Sequence, residues 1–331
     1  MLKRLAAVVI CLLVVFMVIG CTKQTSERIV LNEVTHSVFY APLYAAISLG
    51  YFEEEGLTID LVNGGGADKS MTAILSDQAQ IGLMGPEAAI YVFKEGKDDS
   101  AIVFGQLTKR DGSFLVGREP DEDFKWSDLR GKTVIGGRAG GVPEMTLEYV
   151  LRKNGLEPGV DVEVITSVQF NLMGGAFEGG MGDYVTLFEP TASLFEQEGK
   201  GYIMDAVGAE SGEVPFTAFM AKKSYIKKNP EIIRSFLRAI YKAQQWIGSA
   251  SDREVADAII SFFPDTSIDS LILVAKSYRE IDAWMDTPIM KEEAFNRLQQ
   301  IIIEAGVLDE AVPYAQVVDT SYAQEIISER R

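Results

Sequence analysis

The sequence has few of the residues on which enzyme chemistry most often depends. Histidine occurs once, as His36, and the two cysteines are Cys11 and Cys21. A single histidine excludes a metal site built from several imidazoles, and no serine lies in a Gly-x-Ser-x-Gly nucleophile turn. The run Gly64-Gly65-Gly66 lacks both Gly-x-Gly-x-x-Gly and the Gly-Lys-Ser/Thr ending of phosphate-binding loops. These absences favour a binding protein over an enzyme, and no cofactor is expected.

The first 21 residues have the pattern of a bacterial lipoprotein signal peptide. Lys3 and Arg4 precede an apolar run of 15 residues, Leu5 to Ile19, which continues into Gly20 and Cys21. A basic segment, an apolar core and a small residue are typical of an export signal, and the apolar-apolar-Gly-Cys ending resembles a lipobox. The alternative, an uncleaved membrane-spanning helix, needs ~20 apolar residues. We therefore predict a signal peptide over residues 1–20, lipid attachment at Cys21 and an extracytoplasmic, membrane-anchored location.

The mature chain would depend on its apolar core for stability, because it keeps no thiol for a disulfide. Its length of about 310 residues is sufficient for two domains. The formal net charge of the whole chain is -17 and becomes more negative when Lys3 and Arg4 are removed. This charge disfavours binding to nucleic acid or directly to anionic lipid. Residues 21–28 are predicted to form the lipidated cysteine and a flexible tether, with the fold beginning near Ile29.

Short β-type runs alternate with helical runs along the mature chain, which predicts the α/β class. The first lobe is predicted to contain residues 29–115 and 220–331, and the second lobe residues 116–219. Predicted strands are Ile29 to Val34, Leu57 to Val62, Gln80 to Met84, Ala101 to Leu107, Thr133 to Gly136, Val162 to Thr166 and Tyr184 to Leu187. Predicted helices are Pro42 to Leu49, Asp68 to Ser76, Pro86 to Lys94, Pro143 to Asn154, Leu172 to Phe177 and Pro230 to Ile247.

Candidate binding residues lie in the loops that follow these strands. In open α/β sheets, ligands bind beyond the carboxyl ends of the strands, where helix N-termini present free N–H groups. Glycines in such loops let a ligand approach the backbone, although glycine, proline and caps at a helix start also have purely structural uses. The candidates are His36, Ser37, Phe39, Tyr40, Gly65, Gly66, Gly85, Glu87, Arg138, Gly140, Gly141, Asn171 and Glu189.

Several segments resemble the solute-binding proteins of ABC importers. They are Phe39-Tyr-Ala-Pro-Leu-Tyr-Ala-Ala46, Gly50-Tyr-Phe-Glu-Glu-Glu-Gly-Leu57, Gly82-Leu-Met-Gly-Pro-Glu87, Asp128-Leu-Arg-Gly-Lys-Thr-Val134 and Glu189-Pro190. The resemblance is to the branch that holds alkanesulfonate, taurine and nitrate binders and binders of thiamine-pyrimidine precursors. It implies a type II periplasmic-binding-protein fold: two lobes, each a mixed sheet flanked by helices, joined by two crossover strands near Ser113 to Gly117 and Phe216 to Ala221. It also implies a monomer that closes on a small molecule and docks on an ABC permease with a cytoplasmic ATPase.

Two ligand classes are compatible with the loops. Aromatic residues in or near them, among which His36 and Tyr40 are the best candidates for stacking or hydrogen bonding, favour a nitrogen-containing heteroaromatic such as a thiamine-pyrimidine precursor or a flavin. Glu87 and Glu144 at helix starts would repel a small anion if they face the cleft. The alternative is an alkanesulfonate, taurine or nitrate, with Arg138 as the counter-charge. An enzyme that makes a pyrimidine or quinone precursor on the same fold, and a sensor that binds the same ligand, are further alternatives.

Overall fold

A computed structural model describes residues 26–329 of the chain. The predicted signal peptide and Cys21 therefore lie outside the described residues. No helix within residues 26–329 combines the length and the apolar character needed to cross a membrane. Ten strands are present: β1 Glu27–Glu33, β2 Leu57–Asn63, β3 Ile81–Met84, β4 Ala101–Thr108, β5 Ser113–Gly117, β6 Thr133–Ile135, β7 Glu163–Ile165, β8 Tyr184–Phe188, β9 Tyr202–Ala206 and β10 Thr217–Lys222.

The helices cover the sheets and form most of the C-terminal part. They are α1 Ala41–Ser48, α2 Tyr51–Glu54, α3 Ala67–Leu75, α4 Glu87–Lys94, α5 Val142–Lys153, α6 Met173–Glu178, α7 Thr191–Gln197, α8 Val207–Ser211, α9 Lys223–Lys228, α10 Pro230–Ser249, α11 Asp252–Ile259, α12 Ile268–Glu280, α13 Glu292–Glu304, α14 Tyr314–Val317 and α15 Ser321–Ser328. Short 3₁₀ turns are Val38–Tyr40, Trp126–Leu129, Phe170–Leu172 and Ile260–Phe262.

The strands form two five-stranded mixed sheets of the same design. The first has the order β2-β1-β3-β10-β4 and the second β7-β6-β8-β5-β9. In each sheet three parallel strands from one part of the chain are joined by an antiparallel strand, which is β10 in the first and β5 in the second. This arrangement confirms the predicted fold class, in which two mixed sheets are flanked by helices.

The crossover segments differ slightly from those predicted. Ser113–Gly117 is an inner strand of the second sheet, and Thr217–Lys222 is an inner strand of the first sheet. The chain therefore passes between the sheets in residues 109–112 and 207–216, so residues 113–115 belong with the second sheet and 217–219 with the first. The predicted crossovers lie a few residues from these segments, because a hydrophobic run indicates a strand but not the sheet in which that strand pairs. Strand β9 and helix α7 were not predicted.

The two crossover segments pack against each other without an intervening side chain. A Cβ placed on Gly208 would overlap the backbone of Asp111, and one placed on Gly112 would lie 2.6 Å from the Phe39 ring. Both glycines are therefore required by close approach. Asp111 is fully buried, and its Oδ1 accepts hydrogen bonds from the backbone N–H and the hydroxyl of Ser113, at 2.7 and 2.6 Å. The junction between the lobes is a tightly packed pair of segments.

The C-terminal helices are held against the first lobe. Helix α10 buries Ile233, Leu237 and Ile240, whose spacing of three to four residues places them on one face. Arg238 on this helix pairs with Glu55 at 2.8 Å. After α12, the indole N–H of Trp284 donates to the carbonyl oxygen of Phe39 at 2.9 Å. These contacts fix the loop after β1, from which several candidate binding residues arise.

Candidate ligand-binding cleft

The loops predicted to bind a ligand follow the carboxyl ends of the parallel strands. In the first sheet these strands are β1, β2 and β3, and in the second they are β6, β7 and β8. Two polar contacts join the loop after β6 to helices of the first lobe. The hydroxyl of Tyr91 donates to the carbonyl oxygen of Gly140 at 3.3 Å, and Arg138 Nη1 lies 3.2 Å from Asp68 Oδ1. We call the region between these loops the cleft.

The ion pair across the cleft is open to solvent. The side chains of Arg138 and Asp68 are 62% and 64% exposed. Their attraction is therefore screened, and the pair contributes about 0–1 kcal/mol. Because Arg138 already has a carboxylate partner, it is not a free counter-charge for an anionic ligand.

Glu87 is the first residue of α4 and is almost fully buried, at 6% exposure. Its carboxylate folds back over Gly85, where an added Cβ would overlap it. Among the described residues, no group forms a hydrogen bond with its Oε2. Burial raises the pKa of this carboxyl to about 7, although the N–H groups of Glu87 and Ala88 and the charge of Arg138 oppose the shift. Glu87 is thus a buried acid with an unused acceptor.

Glu144 is the third residue of α5 and, like Glu87, directly follows a proline. It is also 6% exposed, and its Oε2 accepts a hydrogen bond from the backbone N–H of Gly140 at 3.0 Å. The pKa of the Glu144 carboxyl is raised to about 7, mainly by burial and next by the charge of Glu148. The pKa of Tyr91 is raised by burial and then by Glu87 and Glu144. The Tyr91 hydroxyl is therefore electrostatically coupled to carboxyl groups of both lobes.

Aromatic rings form the other part of the cleft. Phe39 contacts Phe188 edge-on across the lobes, with ring centroids 5.8 Å apart, and Phe188 contacts Phe170 at 5.2 Å. Phe39 is buried, whereas Phe170 is 46% exposed. Tyr40 lies between these rings and the buried glutamates. Its ring centroid is 5.9 Å from that of Phe39. Burial raises the pKa of its hydroxyl most, and the charges of Glu33 and then Glu87 raise it further. Phe170 is thus the most exposed of these rings, while Phe188 is partly buried.

His36 is used for contacts within the first lobe. Its Nδ1 lies 2.7 Å from Glu33 Oε1, and its Nε2 lies 2.9 Å from the carbonyl oxygen of Phe262. Both partners are acceptors, so both ring nitrogens donate, which is the protonated form of the imidazole. The Glu33 carboxylate accordingly raises the pKa of His36. One face of the imidazole stacks on Phe263 at 4.7 Å. The two nitrogens and this face are therefore unavailable to a ligand.

The other predicted residues have varied environments. Ser37 caps the turn Val38–Tyr40 by accepting the Phe39 N–H at 3.2 Å, and Tyr40 is buried. The Glu189 carboxylate is inside the second lobe, where it accepts hydrogen bonds from the N–H and hydroxyl of Ser193 at 2.9 and 2.6 Å. Asn171 is exposed on the turn Phe170–Leu172. Gly65, Gly66 and Gly140 have positive φ, and Gly141 is the N-cap of α5.

Tyr91 and Asp68 were not predicted as cleft contacts. Tyr91 follows Glu87 by four residues on α4, and residues four apart lie on one helix face. This spacing was the available signal for Tyr91. Asp68 was predicted only as the first residue of a helix, and its pairing with Arg138, 70 positions away, has no local signature.

Comparison with known proteins agrees with this architecture. The NMT1/THI5-like family profile matches residues 38–252. The chain is 45% identical over 308 residues to YtlA of Bacillus subtilis (strain 168), named as a candidate binding protein, covering 93% of this chain and 92% of YtlA. Among solved structures, the alkanesulfonate-binding protein SsuA from Xanthomonas axonopodis pv. citri has a TM-score of 0.70 at 13% identity, covering 89% of this chain and 99% of that one. The nitrate-binding protein NrtA from Synechocystis PCC 6803 has a TM-score of 0.70 at 16% identity, covering 92% and 89%. The chain therefore belongs to the NMT1/THI5-like family.

Proposed function

We propose that this protein is the extracytoplasmic, lipid-anchored substrate-binding protein of an ABC importer, and that it captures a small nitrogen-containing heteroaromatic compound. The family, the similarity to YtlA over nearly the whole chain and the two-sheet fold support a binding protein. The export signal and Cys21 support the anchor. In this role the ligand stabilises the closed arrangement of the lobes, and a membrane permease recognises that arrangement.

The observation that carries the ligand class is the position of Glu87 and Glu144. Helix N-termini facing a cleft commonly bind anions through free N–H groups and the helix dipole. Here each of the two helix starts already has a buried carboxyl group folded back on its own loop. A second anion at either place would meet a carboxylate. A neutral or basic ring with N–H groups can instead donate to these oxygens, while Phe170 offers an aromatic face.

An alkanesulfonate or nitrate remains the second candidate because the similar solved structures include binders of these anions. The counter-charge suggested for it, Arg138, is exposed and paired with Asp68. Isothermal titration with taurine, short alkanesulfonates and nitrate tests this candidate. Tight binding of any of these, with no response to pyrimidines or flavins, would replace the heteroaromatic proposal.

The first experiment is native mass spectrometry of the chain that begins after Cys21, purified without denaturation. A co-purifying pyrimidine or flavin mass supports the proposal. A sulfonate or nitrate mass contradicts the ligand but keeps the importer role. We also propose that the protein is not an enzyme, so the bound compound should remain chemically unchanged on prolonged incubation; a product mass would overturn that part.

Lipid attachment is tested separately in cells. Metabolic labelling with a radioactive fatty acid should mark the wild-type protein, whereas Cys21→Ser should abolish the label. Labelling that persists in Cys21→Ser would place the acyl chain elsewhere.

A further inference from the structure

The unpaired oxygen of Glu87 is the feature of the cleft that most requires a partner. Oε2 is buried and has no hydrogen-bond partner among residues 26–329. A buried acceptor without a partner has lost its hydrogen bonds to water without replacement, which destabilises the folded protein, and more so when the group is charged. Such groups are uncommon in folded proteins, and each one calls for an explanation.

Two donors whose charge or hydroxyl lies near Glu87 already have other partners. The Tyr91 hydroxyl donates to the Gly140 carbonyl oxygen, and the Arg138 guanidinium pairs with Asp68. Tyr40, whose pKa Glu87 helps to raise, forms no hydrogen bond with Oε2. Within the described residues no group donates to Oε2, so the missing donor comes from elsewhere. A ligand bound in the cleft can supply it.

We propose that Glu87 is the specificity-determining residue of the cleft, and that its Oε2 accepts a hydrogen bond from an N–H group on the edge of the ligand ring. The proposal rests on the function proposed above and narrows the ligand to heteroaromatics with an amino group or a protonated ring nitrogen. A site built to accept an N–H discriminates strongly against analogues that lack it, because its buried oxygen is then left unpaired. Hydrogen bonds to charged groups are also stronger than those between neutral groups.

The test compares two ligands of the same shape. One is 4-amino-5-hydroxymethyl-2-methylpyrimidine, and the other has a methyl group in place of the amino group. Isothermal titration of the chain that begins after Cys21 should show the amino compound binding about 10- to 100-fold more tightly. Glu87→Met, which has no acceptor oxygen, should reduce this ratio to within about 3-fold. Glu87→Gln keeps the size of the side chain but loses its charge. This variant should lower the ratio of the two affinities at least about 3-fold.

The matched control is Glu55→Gln, which removes a carboxylate of the first lobe that pairs with Arg238 away from the cleft. It should keep the wild-type ratio. If both Glu87 variants fold and keep the wild-type ratio, Glu87 does not select the ligand, although the heteroaromatic function stands. If the wild-type protein binds neither pyrimidine nor any flavin, the proposed function fails and this inference fails with it. Should Glu87→Met not fold, Glu87→Gln alone decides the matter.

Discussion

Tyr91 of the first lobe donates a hydrogen bond to the carbonyl oxygen of Gly140 in the second lobe, at 3.3 Å. The bond exists only when the two loops lie together. Because a typical hydrogen bond contributes about 0.5–1.5 kcal/mol, Tyr91→Phe should weaken ligand binding by about 2- to 10-fold. Isothermal titration measures this change. The control is Tyr322→Phe. The Tyr322 ring, on the C-terminal helix α15, lies under the guanidinium group of Arg234 on α10, and this variant should bind normally. Equal affinities for both variants would show that the bond does not assist closure.

The Asp68–Arg138 pair should contribute little. Because both side chains are mostly exposed, a double-mutant cycle with Asp68→Asn and Arg138→Gln should give a coupling of less than about 1 kcal/mol, which disappears in about 0.5 M salt. The readout is ligand affinity. A large coupling that persists at high salt would mean that the pair is buried in the ligand-bound protein.

Phe39 and Phe170 should respond differently to truncation. Phe39 is buried among aromatic rings, so Phe39→Ala should lower the free energy of unfolding by about 3–5 kcal/mol. Phe170 is half-exposed, and Phe170→Ala should leave stability nearly unchanged while weakening a heteroaromatic ligand by about 2- to 10-fold. Chemical denaturation and titration separate these effects. Normal binding by Phe170→Ala would remove this ring from the site.

His36 should stabilise the fold in a pH-dependent way. Its pKa is raised in the folded protein, mainly by Glu33, so its contribution is fully present below the unfolded value of 6.5 and is lost as the pH rises through the folded pKa. Denaturation at pH 5.5 and 9 should therefore show a larger difference between wild type and His36→Gln at the lower pH. A difference that is the same at both pH values would indicate a neutral imidazole.

Asp111 should also make the stability fall as the pH rises, because its folded pKa is raised as well. Burial raises its pKa to about 7, above the ordinary value of 3.8, so the unfolded chain releases its proton first. The free energy of unfolding should then fall as the pH rises from about 4 to 7, by about 2–4 kcal/mol from this group. Asp111→Asn keeps an acceptor for Ser113 and should be more stable than wild type at pH 8 but similar near pH 4. Parallel pH profiles for the two proteins would contradict a buried ionisable Asp111.

The predicted elements agree closely with the structure where a local pattern defines them. The helix predicted at Pro86 to Lys94 is Glu87–Lys94, and the strand predicted at Leu57 to Val62 is Leu57–Asn63. Strand β9, Tyr202–Ala206, was missed because its residues are mostly half-buried and lack a continuous apolar run. Ser113–Gly117 was predicted as a crossover strand without a sheet assignment, because its pairing depends on a distant partner, Tyr184–Phe188.

The sequence by itself determined the α/β class, the helix starts after the strands and the placement of Glu87 and Tyr91 on one helix face. These features depend on periodicity and chain stereochemistry within a few residues. Only the tertiary structure decided which side chains were left for a ligand. His36 is occupied by Phe262, which is 226 positions away, and Glu189 is turned inward to Ser193. Tertiary packing decides which groups come within hydrogen-bonding distance of each side chain. No local sequence pattern predicts these partners.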